Sequence, residues 1–362
     1  MTNTTVNINL KHCEYKIFIN DKCFDFIHIQ SLLKNRKIAI ISNSTVSPLY
    51  LESLKTALLP YNDSPISLNL PDGEKFKNQT SLNLIFDFLA ENNINRSDLL
   101  ISLGGGVICD ITGFAAASWM RGIDFIQAPT SLLAQVDASV GGKTGINHEK
   151  GKNLIGAFHQ PKAVIINTAT LKTLPVKEFK SGMGEVLKYG FINQPQFLSW
   201  LSSHSAKINS LDLPTVSKLI AKCCSFKSVI VQQDEKEAGI RALLNLGHTF
   251  AHAIETYTQY KTYSHGEAVS IGMVMAAELS EILNLSDNYL RKELEKHLQQ
   301  FHLEIKLSKE TNPHELVKLM RLDKKVIENK HRLILMNSLG KALIKTDVCE
   351  ENILQAIINC QY

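Results

Sequence analysis

The chain has 362 residues, 44% of them hydrophobic and 20% charged, with a formal net charge of +4. That length exceeds what one hydrophobic core usually serves, so two domains are expected, and the small, dispersed charge gives no support to nucleic-acid binding. Seven cysteines, an odd number without CxxC spacing, argue for reduced thiols in a cytoplasmic protein. The N-terminus has no charged stretch leading into an apolar core, and nothing approaches the ~20 apolar residues of a transmembrane helix.

The first half reads as alternating strands and helices. Tyr15 to Ile19 alternates as an edge strand would. Lys37 to Ser42 is a buried-strand pattern, Leu49 to Leu59 has helical spacing, Ile66 to Leu70 repeats the strand signal, and Leu82, Ile85, Phe86 and Leu89 mark the next helix. Leu99 to Leu103 is an apolar run followed by three glycines, Gly104 to Gly106, and a helix-compatible stretch from Val107 to about Met120. Strand, glycine turn and helix present backbone N–H groups to a phosphate, although the contiguous glycines are not the G-x-G-x-x-G pattern and also suit a tight structural turn.

Another apolar run ends at Gln127, Ala128 and Pro129, and Thr130-Ser131 open the next segment. From Gly141 to Gly156, three lysines among five glycines are interleaved with Leu154 and Ile155. That is unlike a Ser/Gly linker and reads as a flexible cationic loop around an anionic ligand. Ala163 to Asn167 is the last strand. The alternation predicts an α/β, Rossmann-like first domain over residues 1–174, with a mostly parallel sheet and ligands at the carboxyl ends of its strands.

Residues 175–362 read as a mainly α-helical second domain, with helices at about 177–190, 195–204, 214–236, 242–259, 265–283, 287–301 and 348–360, interrupted by a strand-like pair at 333–336 and 342–345. Ser264 to Glu267 has the form of a capping box, which puts His265 in a first helical turn. His248, His252 and Glu255 are spaced i, i+4, i+7 and share a helix face, with Glu185 in an earlier helix. Two imidazoles and a carboxylate with open positions suit a catalytic zinc ion. The same spacing equally serves a structural histidine pair, and Glu185 could hydrogen-bond backbone.

The stretches GGGVICD, MRGIDFIQAPTSLLAQVDASVGGKTGIN, GKNLIGAFHQP, GEVLKYG, LLNLGHTFAHAIE and SHGEAVSIGM together resemble the dehydroquinate synthase family of sugar-phosphate cyclases, from about Asp72 to His265 and beyond. The resemblance implies NAD and Zn2+ or Co2+ as cofactors. It also implies a homodimer, with the active site in the cleft between the domains. The implied reaction converts 3-deoxy-D-arabino-heptulosonate 7-phosphate to 3-dehydroquinate and phosphate by oxidation, elimination, reduction and intramolecular aldol closure.

Position by position, the resemblance implies metal ligands at Glu185, His248 and His265. It implies NAD contacts at Asp72, Glu74, Lys75, Gly105, Gly106, Asp110, Thr130, Ser131, Lys152 and Thr173. Lys143, Asn153, Asn245 and His252 are implied at the phosphate, with Lys324 as a further contact, and Lys227 and Arg241 at the carboxylate. Asp137 and Lys188 complete the substrate set. Catalytic roles fall to Lys143, Lys188, Arg241, Glu237 and His252, the last two handling protons. Arg121 matches an arginine that reaches into the neighbouring subunit's site. Cys109 stands where the family often has glycine. Two other readings remain at this stage: a related cyclase using glucose 6-phosphate or sedoheptulose 7-phosphate, and a polyol dehydrogenase of similar architecture.

Overall fold

The structure, a computed structural model, describes residues 3–287, 289–321 and 332–362, so Lys324 lies outside the described residues. The chain forms two compact units: Met1–Leu174 with Leu211–Lys236, and Pro175–Ser210 with Glu237–Tyr362. Among the described residues no helix is long and apolar enough to cross a membrane.

The first unit is built on strands β1 (Thr4–Asn9), β2 (Glu14–Asn20), β3 (Ile38–Asn43), β4 (Ile66–Leu70), β5 (Leu99–Gly104), β6 (Asp124–Pro129), β7 (Lys143–His148), β8 (Gly151–Phe158) and β9 (Ala163–Asn167). Seven of them form one sheet, ordered β1-β2-β9-β6-β5-β3-β4. Only the β1–β2 pair is antiparallel.

Strands β3, β5 and β9 are buried along their whole length, as expected of parallel strands covered on both faces. Their alternation splits the core in two. Ile38, Ile40, Leu99 and Ile101 pack with Leu51, Leu54 and Leu58 on one face, while Ala39, Ile41 and Leu100 pack with Leu82, Ile85, Leu89 and Ile111 on the other. The chain moves outward from β3 to β4 and then returns to β5 on the far side of β3. The carboxyl ends of β3 and β5 therefore flank a topological switch point, where ligands of such sheets bind.

Two expectations change in this unit. The stretch read as a flexible loop is the antiparallel β7–β8 hairpin. Its glycines serve close cross-strand approach: a Cβ on Gly145 would lie 2.5 Å from the Ile155 carbonyl oxygen, and one on Gly156 would lie 2.2 Å from that of Thr144. The helix Leu213–Gln233, read by position as part of the second domain, belongs to the first unit. Its buried Cys224 Sγ lies 3.3 Å from the Gln135 carbonyl oxygen, and its Ser217 Oγ lies 2.9 Å from Thr168 Oγ1.

The second unit is helical. The helix His265–Ile282 is buried along most of its length. It packs against the helices Val176–Asn193, His248–Tyr257, Leu290–Gln300 and Glu350–Asn359 and the strand β10 (Leu333–Ser338), which pairs with β11 (Lys341–Lys345). The single helix expected at 242–259 is interrupted. A 3-10 turn, Ile240–Asn245, ends before Gly247, whose φ is +78°. A short helix, Pro313–Arg321, was not anticipated.

Candidate metal centre and nucleotide site

Four glycines position three donor side chains. Gly184 lies against Gly266, where added Cβ atoms would come within 2.9 Å of the Gly266 oxygen and 2.2 Å of the Ser181 oxygen. This contact brings the helices Val176–Asn193 and His265–Ile282 close enough for the neighbouring residues Glu185 and His265 to converge. Gly247 packs on Gly272, and a Cβ on the latter would lie 2.2 Å from the Gly247 oxygen. The left-handed Gly247 then starts the helix that carries His248.

One ligand atom each from Glu185, His248 and His265 falls within a 4.8 Å group. Glu185 Oε1 lies 3.5 Å from His248 Nε2 and 3.7 Å from His265 Nε2. The other ring nitrogens are committed elsewhere. His248 Nδ1 donates to the Leu246 carbonyl at 3.2 Å, and His265 Nδ1 donates to Glu255 Oε1 at 3.3 Å. With Nδ1 protonated in both rings, both Nε2 atoms turn electron pairs toward the Glu185 oxygen. Three acceptors facing one another need a cation. In the metal-free protein a proton serves: burial lowers the His265 pKa, but the Glu185 and Glu255 carboxylates outweigh burial and push it up to about 9. A carboxylate and two imidazoles also form a suitable donor set for zinc or a similar divalent ion.

Around this group Lys188, almost completely buried, pairs with Glu185 Oε2. The His252 ring meets that of His248 edge-on, with centroids 5.8 Å apart. Asn245 Nδ2 donates to Glu237 Oε1 at 2.5 Å, and Glu237 holds a left-handed backbone, φ 59°. Arg241 is buried, at 1% exposure.

In the first unit, the glycine turn sits at the end of β5. Gly104 is needed for packing, since a Cβ there would collide with Ile108 at 2.7 Å. Gly105 faces Ser131, whose Oγ would lie 3.3 Å from an added Cβ, and Gly106 opens the helix Gly106–Ser118. This helix start offers N–H groups to an anion. Thr130 N donates to the Gly104 oxygen at 2.9 Å. Cys109, in place of the expected glycine, sits in the helix interior, where burial pushes its thiol up to about 12.

Asp72 accepts from Asn43 Nδ2 and Thr45 Oγ1, each at 2.7 Å, at the switch point. Glu74 accepts from Asn147 at 2.7 Å, and Asn147 in turn accepts from the backbone N–H of Asn153 at 2.9 Å. Asp110 pairs with Lys77, which also donates to Asn153 Oδ1 at 2.6 Å. Lys227 binds both the backbone oxygen and the carboxylate of Asp137, at 2.6 and 2.7 Å. Thr173 meets the Tyr50 hydroxyl. Lys75, with its ammonium 4.9 Å from the Phe76 ring centroid, Lys143 and Arg121 are exposed, and Lys152 is half-buried on β8.

Sequence reasoning missed one residue and the partner of another. Lys77 is the buried hub of Asp110 and Asn153. Burial alone lowers its pKa, but the carboxylates of Asp110 and Glu74 raise it on balance. Its position inside Asp72-Gly-Glu-Lys-Phe-Lys77 was the available signal. Glu255 was noted on the histidine face, but its pairing with His265, ten residues on, depends on the fold.

The fold is shared with solved sugar-phosphate cyclases. A 2-deoxy-scyllo-inosose synthase, solved with carbaglucose-6-phosphate, NAD+ and Co2+, superposes with a TM-score of 0.88 at 23% identity, covering 99% of this chain and all of that one. A 2-epi-5-epi-valiolone synthase from Streptomyces hygroscopicus subsp. jinggangensis, with NAD+ and Zn2+ bound, gives 0.87 at 22% identity, over 97% of this chain and 98% of that one. Residues 67–181 match the 3-dehydroquinate synthase N-terminal model, and residues 182–326 match the C-terminal model. A 3-dehydroquinate synthase of Shewanella frigidimarina is 46% identical over 98% of this chain and 99% of its own length. The chain belongs to the 3-dehydroquinate synthase family.

Proposed function

We propose that this chain converts 3-deoxy-D-arabino-heptulosonate 7-phosphate to 3-dehydroquinate and phosphate, a carbon–oxygen lyase reaction dependent on NAD and on Zn2+ or Co2+. The observation that carries this reading is 46% identity to a 3-dehydroquinate synthase across almost the whole chain. Twofold lower identity to the inosose and valiolone synthases favours the heptulosonate over other sugar phosphates.

Glu185, His248 and His265 would hold the ion, with Lys188 balancing the second oxygen of Glu185. Asp72, Glu74, Lys75, Gly105, Gly106, Asp110, Thr130, Ser131, Lys152 and Thr173 would hold NAD. When bound, the ion polarises the substrate's carbinol oxygen, and NAD supplies the reversible oxidation that acidifies the adjacent C–H. The chain's own task is to grip the substrate's two acidic ends. Lys227, oriented by Asp137, and Arg241 suit the carboxylate, where charge-assisted and bidentate contacts hold it. Lys143, Asn153, Asn245 and His252 suit the phosphate. His252 and Glu237 would move protons, and the departing phosphate can accept one itself.

A homodimer completes the reading, with Arg121 directed to the partner subunit's site. Arg121 and Met120 lie on an exposed left-handed turn, φ 63° and 50°. A cytoplasmic setting fits seven cysteines that are all free.

The deciding experiment measures phosphate release from the heptulosonate, glucose 6-phosphate and sedoheptulose 7-phosphate with NAD and zinc present. Release from the heptulosonate, with no net accumulation of NADH, is expected. Turnover of only one of the other two sugars would reassign the substrate. Stoichiometric NADH would point to a dehydrogenase.

A further inference from the structure

We propose that Glu255 is a positioning residue of the metal centre, selecting the ring nitrogen that His265 presents to the ion and strengthening that nitrogen as a donor. The inference rests on the metal reading above and extends it to a residue outside the ligand set.

Glu255 is 3% exposed, and its Oε1 lies 3.3 Å from His265 Nδ1. A buried carboxylate is costly unless it accepts hydrogen bonds or meets a cation, and here it accepts a hydrogen bond from an imidazole that must keep its other nitrogen bare for the ion. The two histidines are oriented differently. His248 leans on a backbone carbonyl, that of Leu246, at 3.2 Å, whereas His265 leans on a charged side chain.

The backbone of His265 is already fixed without Glu255. Ser264 caps its helix, Glu267 returns a bond to the Ser264 N–H at 2.7 Å, and Ser181 Oγ accepts from the Gly266 N–H at 3.0 Å. What remains free is rotation of the ring about its side-chain bonds, together with the choice of which nitrogen carries the proton. Glu255 settles both. A carboxylate behind a ligating imidazole also makes the opposite nitrogen a better donor, an effect typically worth 10–100-fold in metal affinity.

The test is a zinc titration against a chromophoric chelator, using wild-type protein, Glu255→Gln, Glu255→Asp and Glu255→Leu. Gln keeps an acceptor but removes the charge, and Leu removes both. Zinc affinity should fall about tenfold in Gln and about a hundredfold in Leu, more than any loss of metal-free stability, measured by thermal melts of the same variants, accounts for. The visible absorption of the Co2+-loaded Gln protein should shift, and Asp should recover part of the affinity. If Leu does not fold, Gln and Asp carry the comparison.

Wild-type affinity in Gln and Leu, or a loss that only follows lowered metal-free stability, would overturn the role of Glu255. A wild-type protein that takes up no zinc would instead overturn the metal reading, and this inference with it.

Discussion

Gly184 and Gly266 touch backbone to backbone, and the residues beside them, Glu185 and His265, are two of the three donors at the candidate metal centre. The centre therefore depends on the absence of side chains as much as on the presence of ligands. Gly266→Ala would place a methyl group 2.2 Å from the Ser181 oxygen, so the helices must separate. Overpacking of this kind costs about 1–3 kcal/mol, and a lowered melting temperature with weakened zinc retention is expected. Thermal melts and metal analysis of the purified variant check it, and normal zinc content would show that the helices can part without moving the donors.

His248→Ala removes one donor, which belongs to the second unit. Zinc retention and turnover should both be lost while NAD still binds, as followed by quenching of intrinsic fluorescence. Full zinc content at the wild-type rate would remove His248 from the ligand set.

Zinc and a proton compete for the same group of acceptors. His265 in the metal-free protein is raised from 6.5 to about 9, so below that pH zinc must displace its proton. Apparent zinc affinity should rise up to about tenfold per pH unit from that site until pH nears 9. The metal-free protein should respond in the opposite sense. A raised imidazole pKa contributes stability fully below the unfolded value of 6.5, and the contribution is lost as pH climbs through about 9. Chelator competition and denaturant melts across this range test the two slopes together.

Buried Lys77 and half-buried Asp110 form an ion pair beside the glycine turn. Lys77→Met leaves a half-buried carboxylate without its principal cation, and losing one partner of such a hydrogen-bonded pair costs about 1–3 kcal/mol. Lys77→Met combined with Asp110→Asn should recover much of that loss, since no charge is then stranded. Equal stability of the single and double variants, measured by urea unfolding, would show that the pair is not coupled.

Thiol accessibility provides a check on the fold. Cys23 and Cys349 are exposed and Cys13 is half-buried, while Cys109, Cys223, Cys224 and Cys360 are buried. Burial pushes Cys109, Cys224 and Cys360 up to about 12 and raises Cys223 as well. At pH 8 a chromogenic disulfide reagent should titrate two or three thiols quickly in the native protein and all seven after denaturation. Rapid modification of Cys109 would mean that the turn beside it opens.

The sheet was legible because each parallel strand is a short apolar run ending in a turn, and that signal is local. The hairpin at 143–158 was not, because its glycines look like flexibility until Gly145 and Gly156 are seen to face the opposite strand. The His248 segment was legible in spacing alone but not in its break, since the left-handed Gly247 is required by Gly272 in another helix. Convergence of Glu185 with His248 and His265 could be inferred only from motif resemblance. The roles of Lys77 and Glu255 follow from contacts that no spacing rule reports.

The first unit is assembled from two separate lengths of chain, with the stretch 175–210 intervening. A ribosome that has made the first 174 residues has therefore not yet supplied the helix that covers β1 and carries Lys227 to Asp137. Native closure of this half must wait until residue 236 has left the exit tunnel, by which time two helices of the other half have emerged. A gene cut after Leu174 would encode a fragment with a bare flank, prone to self-association, whereas adding back residues 211–236 in the same polypeptide should restore a soluble product.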